Sequence, residues 1–497
     1  MPRRIESTSS LWRALPLAVL LALGGCSLAP TYQRPDIGKL PDAYQGAAAP
    51  DGWTTAAPGD TASRGSWWTV YNEPNLNALE DRLNKNNPNI AIALARYEAS
   101  RAFEQQLHSN AMPHAGVAAS PTNNRQSDNR PTRGANQPNE YDGDTLQFSA
   151  DYELDLWGRI RNEIAAGQAQ SDAAAADLAS AQLSLQAQLA NLYIRLRGYD
   201  VQARILRDSL DAFRQGQDMT QQRMEGGVSS GLDVARANAQ YADAQAQTSE
   251  LRAQRALTVH AIAALIGEPA SNFSLPEQAE SLAIPAIPLG VPSTLLQRRP
   301  DIASAERRTF AANANIGVAR AAFFPTLSLS AVFGWQDTGH GNLLSVGNRF
   351  WALGPIASLN LFDGGLRRAR LAEARAELDA SSNQYRAVVL NAFQQVEDNL
   401  SLLQELGHEA AQEDAAAAAA KESQTLATNR YKEGVVSYLD VVSAQTTALQ
   451  AERTAELVRT RRLQASVDLI RALGGGWAAP VMGSSATARN DTAPRGE

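Results

Sequence analysis

Arg430-Tyr-Lys-Glu-Gly434-Val-Val-Ser437-Tyr-Leu-Asp440-Val441 reads as the end of one helix, a glycine turn and the capped start of another. Glycine just past a helix supplies a left-handed stop, and a serine followed three residues on by an acid forms a capping box for the next helix. The stretch decides the fold because the chain carries it twice. Arg223-Met-Glu-Gly-Gly227-Val-Ser-Ser230-Gly-Leu-Asp233-Val234 keeps arginine, glycine, serine, leucine, aspartate and valine in the same places, 207 residues earlier. Upstream, Asn87-Pro88-Asn89-Ile90 returns as Arg299-Pro300-Asp301-Ile302, and Pro113 as Pro325, each 212 residues on. A period near two hundred residues is too long for a solenoid unit, so the chain holds two copies of a domain-sized element. The copies are placed at 76–267 and 293–476, joined by a proline-rich linker, 268–292, that is expected to wrap the helices.

Each copy reads as helix, strand, loop, strand, very long helix, tight turn, helix. In the long helix of the first copy, Leu185, Leu189, Leu192 and Leu196 fall at alternating steps of four and three. In the second, Leu371, Leu378, Tyr385 and Ala392 repeat every seven, with Ala374, Ser381 and Val388 between them. This is a coiled-coil seam containing small residues, which lets helices pack closely. The pattern runs without proline from about Trp157 to Gln222 and from about Leu366 to Tyr431, predicting helices of roughly 100 Å at 1.5 Å per residue.

The short segments alternate. Leu327, Leu329, Ala331 and Phe333 alternate with Thr326, Ser328 and Ser330. Trp351, Leu353, Ala357, Leu359 and Leu361 stand against Ser358 and Asn360; Leu146, Phe148, Tyr152, Leu154 and Leu156 stand against Gln147, Asp151, Glu153 and Asp155. Pro113 to Ser120 is read as a strand through its repeat mate. One greasy face and one wet face suit a tilted barrel strand, with Asp151, Glu153 and Asp155 facing a water-filled lumen; a half-buried soluble sheet is the alternative. Four strands cannot close a barrel, and an open edge in hydrocarbon leaves backbone groups unpaired, so several chains must share one. Two chains would give a barrel filled by side chains, three an open bore. Pro121 to Asp144 and Gln336 to Asn348 are then the external loops.

Arg3, Arg4 and Arg13 lead into the apolar run Ala14 to Leu23, a signal peptide at residues 1–25, too short for a spanning helix. Leu23-Gly24-Gly25-Cys26 resembles the bacterial lipobox, which implies that Cys26 becomes a lipid-bearing N-terminus of the segment 26–75; Ser27 in place of aspartate implies sorting to the outer membrane. Cys26 is the single cysteine among 497 residues, excluding disulfides and thiolate metal sites. Removing the leader with its three arginines and Glu6 moves the formal charge from −7 to −9, which disfavours nucleic acid. Mean hydropathy is −0.31, with no second stretch long enough for a membrane helix. His108, His114, His260, His340 and His408 lie far apart, and no phosphate loop, His-Glu-x-x-His or Gly-x-Ser-x-Gly is present. No enzyme, metal site or cofactor is expected beyond the lipid on Cys26. The tail after Trp477, residues 477–497, is expected to be disordered.

These residues resemble the TolC-like outer-membrane factors, in the lipidated NodT and OprM-like branch that serves resistance-nodulation-division (RND) pumps. The most specific pieces are Leu295-Leu-Gln-Arg-Arg-Pro-Asp-Ile302, Ala321-Ala-Phe-Phe-Pro-Thr-Leu-Ser-Leu329 and Leu361-Phe-Asp-Gly-Gly365. The resemblance implies a mostly α fold with a small β part: a homotrimer forming a twelve-stranded transmembrane β-barrel, continued by a twelve-helix periplasmic α-barrel. It further implies a passive exit channel for drugs, working with a periplasmic adaptor and an inner-membrane RND transporter. A duct for ABC-type protein secretion, or a lipid-anchored periplasmic scaffold, are the other readings. Family ducts narrow at the periplasmic tip, so Asp440, Asp233, Tyr438 and Arg430 are the candidates for the constriction or gate. Capping is the competing role for both acids, and complementing the helix dipole is that for Arg430 and Arg223. Some lipidated relatives carry an acid where this chain has Val436 and Ser437.

Overall fold

The computed structural model describes residues 27–39, 65–129, 138–278, 280–285, 299–338 and 341–475. The first copy contains α1 (Pro74–Asn86), α2 (Pro88–Ser109), β1 (His114–Arg125), β2 (Glu140–Leu154), α3 (Arg159–Glu225) and α4 (Gly231–Leu265). The second contains α5 (Pro300–Ala321), β3 (Thr326–Asp337), β4 (Arg349–Ser358), α6 (Leu366–Lys432) and α7 (Tyr438–Ala472). The duplication is metrical: α2 and α5 have 22 residues each, α3 and α6 have 67, and α4 and α7 have 35. Pro88 and Pro300 open their helices because a first-turn residue needs no amide donor. At 1.5 Å per residue, α3 and α6 are each roughly 100 Å long, as the unbroken heptads require.

Two compact units share these elements. One joins the N-terminal stretch up to Asp36 with Ala95–Ala175 and Ser304–Arg386; the other joins Ile37–Leu94, Ala176–Ala303 and the chain from Ala387 onward. In the first unit the four strands form one antiparallel sheet in the order β1-β2-β3-β4, leaving β1 and β4 as open edges. The heptad positions of α6 face inward as expected, with Tyr385 and Ala392 fully buried while Leu390 and Leu402, off the seam, are exposed. No described helix is long and apolar enough to cross a membrane.

In the second unit Leu76, Leu83, Leu189 and Leu196 are fully buried. A polar clasp holds Leu275, Pro276 and Gln278 of the linker there. The buried Asp200 accepts from Arg197 and from Arg255, each at 2.7 Å, and from the backbone of Gln278 at 3.1 Å. Arg197 and Arg255 also donate to the carbonyls of Pro276 and Leu275. Glu80 on α1 is wholly buried, and neither of its carboxylate oxygens has a hydrogen-bond partner among the described residues. Burial, with Asp81 adding to it, pushes its pKa up to about 9.

Three boundaries differ from the sequence reading. Both ends of the loop assigned to Pro121–Asp144 are strand, because β1 runs to Arg125 and β2 starts at Glu140. Polar cross-strand pairs carry the ladder where apolar alternation stops: Asn123 donates to Asp142 at 2.7 Å and Arg125 pairs with Glu140 at 3.3 Å. The second loop likewise loses Gln336 and Asp337 to β3. Conversely, β4 ends at Ser358, so Leu359 and Leu361 lie beyond it, Leu361 being 87% exposed. Cys26, the leader and the tail from Gly476 lie outside the described residues.

Candidate functional site

The register sorts the sheet into two chemically distinct faces. Ala119, Leu146 and Trp335 are successive partners across β1, β2 and β3, and Trp335 pairs with Arg349 on β4. One step along come Val117, Phe148, Phe333 and Trp351; next Ala115, Ala150, Ala331 and Leu353; then Tyr152, Leu329 and Pro355, and finally Leu154, Leu327 and Ala357. Directly paired residues point the same way, so these positions make one continuous apolar face across the sheet. Trp351 and Leu353 are 75% and 65% exposed, a degree of bare apolar surface that water-soluble sheets do not present. The opposite face carries Thr145, Gln147, Ser149, Asp151 and Glu153 on β2 against Gln336, Gly334, Val332, Ser330 and Ser328 on β3.

The three acids assigned to the wet face separate on inspection. Asp151 and Glu153 are strand residues opposite Ser330 and Ser328. Asp155 is not on the strand: it lies past Leu154, where its carboxylate accepts from the backbone and side chain of Arg161 at 2.9 and 3.2 Å and caps α3. Arg159 joins Glu153 at 2.7 Å to Glu163 at 2.7 Å. The wet face thereby runs into a groove of about 740 Å³ between α3, α5 and α6, walled by Arg159, Glu163, Arg308, Arg370, Glu373 and Glu377. Both protonatable signs line this path and no single sign dominates it.

Beside the same strand ends lies a feature the sequence did not disclose. Residues 27–34 are an extended strap along α5. Ser27 donates to Asn162 at 3.0 Å, Arg320 donates to the carbonyl of Leu28 at 3.0 Å, and Asn313 to that of Pro30 at 2.8 Å. The Tyr32 ring meets Phe310 edge-on at 5.1 Å, and Arg34 forms a two-pronged pair with Glu306 at 2.9 and 2.8 Å. Gly317 makes the close approach possible, since a Cβ there would sit 2.5 Å from Asn162 Nδ2 and 2.9 Å from the Ala29 methyl. A glycine in the middle of a helix was the available signal.

At the far ends of α3 and α6 the two turns are built alike. The Val228 and Gly227 amides donate to the carbonyls of Arg223 and Met224, and the Val435 and Gly434 amides to those of Arg430 and Tyr431, at 2.8 to 3.0 Å. Gly227 and Gly434 take φ of +78° and +79°, the left-handed stop that glycine accommodates. Ser437 and Asp440 form a full capping box: the Ser437 amide and hydroxyl donate to the Asp440 carboxylate at 3.0 and 2.7 Å. Asp233 is held by the hydroxyls of Ser229 and Ser230 at 3.2 and 3.0 Å and by Arg236 at 3.5 Å.

The four tip candidates therefore part company. Asp440 and Arg430 are exposed and Asp233 is half-buried. Tyr438 is not a surface residue: it is 1% exposed, clustered with Ala237, Tyr431 and Val441, with its hydroxyl against Gly216. An aromatic at the first helical position of α7 buries itself against α3 instead of facing out. Burial, with Tyr431 and Asp233 contributing, pushes its pKa up to about 12. Arg223 does more than complement a dipole. It crosses to the second hairpin, donates to the Tyr431 carbonyl at 2.6 Å and lies 4.7 Å over the Tyr431 ring. Outward from both turns, Val228, Leu232, Val435 and Leu439 are exposed at 71%, 58%, 69% and 50%, an apolar cap on each hairpin.

Comparison with known proteins agrees with this geometry. The family described as outer membrane efflux protein matches residues 79–268 and 291–475, one stretch for each copy. The chain is 32% identical to outer membrane protein OprJ of Pseudomonas aeruginosa over 465 residues, 93% of this chain and 95% of that one. It is 31% identical over 468 residues, with the same coverage, to the probable efflux pump outer membrane protein TtgC of Pseudomonas putida. Among solved structures, the outer-membrane channel OprN superposes with a TM-score of 0.82 at 31% identity, over 91% of this chain and 100% of that one. VceC of Vibrio cholerae superposes with a TM-score of 0.78 at 28% identity, over 84% and 99% of the two chains.

Proposed function

This chain belongs to the outer membrane efflux protein family, and we propose that three copies of it form the exit duct of a tripartite pump, passing drugs or other small toxic molecules out of the cell. It is an outer-membrane efflux component whose helices reach into the periplasm. The observation that carries the trimer is the sheet: four strands with a bare apolar face, a wet face and two open edges. In hydrocarbon each unpaired edge group costs several kcal/mol, and pairing β4 of one copy with β1 of the next removes that cost around a closed ring. Three copies give twelve strands and an aqueous bore, whereas two would give a barrel filled by its own side chains.

Within this reading Asp151 and Glu153 face the lumen, the groove walled by Arg159 and Glu163 continues it, and Asp440 with Asp233 borders the tip opening while capping helices. The duct carries out no chemistry and needs no cofactor; the lipid on Cys26 is its one covalent addition. Energy enters from an inner-membrane RND transporter, and a periplasmic adaptor grips the apolar caps at Val228, Leu232, Val435 and Leu439. The bare face of the sheet disfavours a scaffold held by lipid alone. A photo-crosslinker at Leu439, which is exposed where Tyr438 is buried, tests the partnership in living cells. Capture of a periplasmic adaptor is expected; efficient capture of neighbouring copies but of no adaptor during active growth would contradict it.

A further inference from the structure

The apolar face of the sheet carries one cation, at one end. Arg349 opens β4 directly opposite Trp335, on the face otherwise given to Val117, Phe148, Phe333 and Trp351. Its row lies four residues along β3 from Ala331, the middle of the apolar band, or roughly 10 Å of membrane depth for a strand tilted by about 40°. This is the sheet end away from α3, α5 and α6, and so the level of the outer-leaflet headgroups. Arg349 is exposed, its Nε donates to the Val346 carbonyl at 3.3 Å, and it has no ion pair among the described residues. β1 of an adjoining copy supplies none either, since His114–Arg125 contains no acidic residue. Beside Arg349 the Trp335 indole, met edge-on by Phe333 at 4.9 Å, keeps a buried N–H without a partner among the described residues. Leu344 and Val346, just before β4, are 59% and 73% exposed, apolar surface suited to resting on a lipid leaflet.

We infer that Arg349 and Trp335 form a site for the phosphate-bearing head of an outer-leaflet lipid, of the lipid A class, whose acyl chains run along Phe333, Trp351 and Leu353. This rests on the reading above for which face of the sheet meets lipid. A guanidinium and an indole N–H are donors only, and a phosphate group offers acceptors to both. Arginine also matches phosphate with two parallel hydrogen bonds, which a lysine cannot form. Asp144 and Asp337 pair with each other one row further out on the same face. They repel a phosphate that arrives alone, so the acyl chains on the apolar face are what hold the anion at Arg349. The site therefore takes a lipid and not free phosphate.

The test is native mass spectrometry of the full-length protein, delipidated in detergent and titrated with diphosphorylated lipid A or with the same lipid stripped of both phosphates. The intact protein should hold the diphosphorylated lipid about tenfold more tightly than Arg349→Ala does, the worth of one charge-assisted hydrogen bond. Trp335→Phe, which keeps a ring and removes the donor, should weaken binding by a smaller factor. Arg125→Ala, whose guanidinium is already matched by Glu140, should leave it unchanged. Equal binding by the intact protein and Arg349→Ala, equal binding of the stripped lipid, or full binding by Trp335→Phe overturns the site while the trimer persists. Displacement of the lipid by millimolar inorganic phosphate overturns it too, as the mark of a site for free anions. A chain that forms no trimer in the same spectra overturns the reading beneath it as well.

Discussion

Replacing Ala331 with arginine places a charge on the apolar face at the centre of β3, opposite Ala150 and Leu353. The apolar positions from Leu327 to Trp335 extend about 27 Å along the strand at 3.3 to 3.4 Å per residue. Tilted by about 40°, they cover roughly 20 Å of membrane thickness, close to the apolar band of an outer-membrane barrel. Ala331 is the midpoint, where an arginine costs about 2–4 kcal/mol, a shift of roughly 30- to 700-fold in insertion for each copy. Moving the same arginine one residue, to Ser330, turns it to the wet face directly opposite Asp151, where it gains an opposite charge and loses no lipid contact. Urea titration of folding into lipid vesicles reads both variants. Ala331→Arg should lose the folded, heat-resistant assembly while Ser330→Arg retains it. Equal effects, or the reverse order, would refute the assignment of faces and with it the barrel.

Three other outcomes follow from individual residues. Arg223→Ala removes a hydrogen bond from a charged donor and a cation–π contact, destabilising the tip by about 2–3 kcal/mol; amide exchange should accelerate near Gly226 and Gly434 but not at the clasp around Asp200, and uniform exchange would contradict it. Gly317→Leu drives a side chain into Asn162 and Ala29, so the strap should detach and the Tyr32–Gln33 bond become open to chymotrypsin as Tyr32 leaves Phe310, a site that stays protected if the strap is held elsewhere. Glu80, raised from 4.5 to about 9 in the folded chain, stays protonated there while it ionises in the unfolded chain above pH 4.5. Its contribution is full below that pH and is lost as pH rises toward 9, about 3 kcal/mol by neutrality. Glu80→Gln should flatten the fall in thermal stability between pH 5 and 8; an unchanged slope would place the titration elsewhere.

How far the sequence spoke depends on the kind of interaction. Long heptads and strict alternation are periodic, so α3, α6 and the two faces of the sheet were legible from residues such as Leu189, Leu196, Leu371, Tyr385, Leu327 and Phe333. The glycine turns were legible because left-handed backbone admits few residues. What escaped were contacts between positions far apart in the chain. The strap at Ser27–Arg34 has no period, and its recognition of Asn313 and Arg320 rests on backbone carbonyls that any residue supplies. The burial of Tyr438 escaped because its partner, Gly216, is identified only by the space it leaves. Asp155 continued the alternation on paper, yet its carboxylate satisfies the start of α3. Polar ladders such as Asn123 with Asp142 extended strands that hydrophobic pattern alone would end.

The central claim, that copies of this chain share one barrel around an aqueous bore, is tested most directly by native mass spectrometry of the protein extracted intact from outer membranes. A dominant species of three mature chains is the predicted result. A dominant monomer or dimer, with folding otherwise intact, would contradict it.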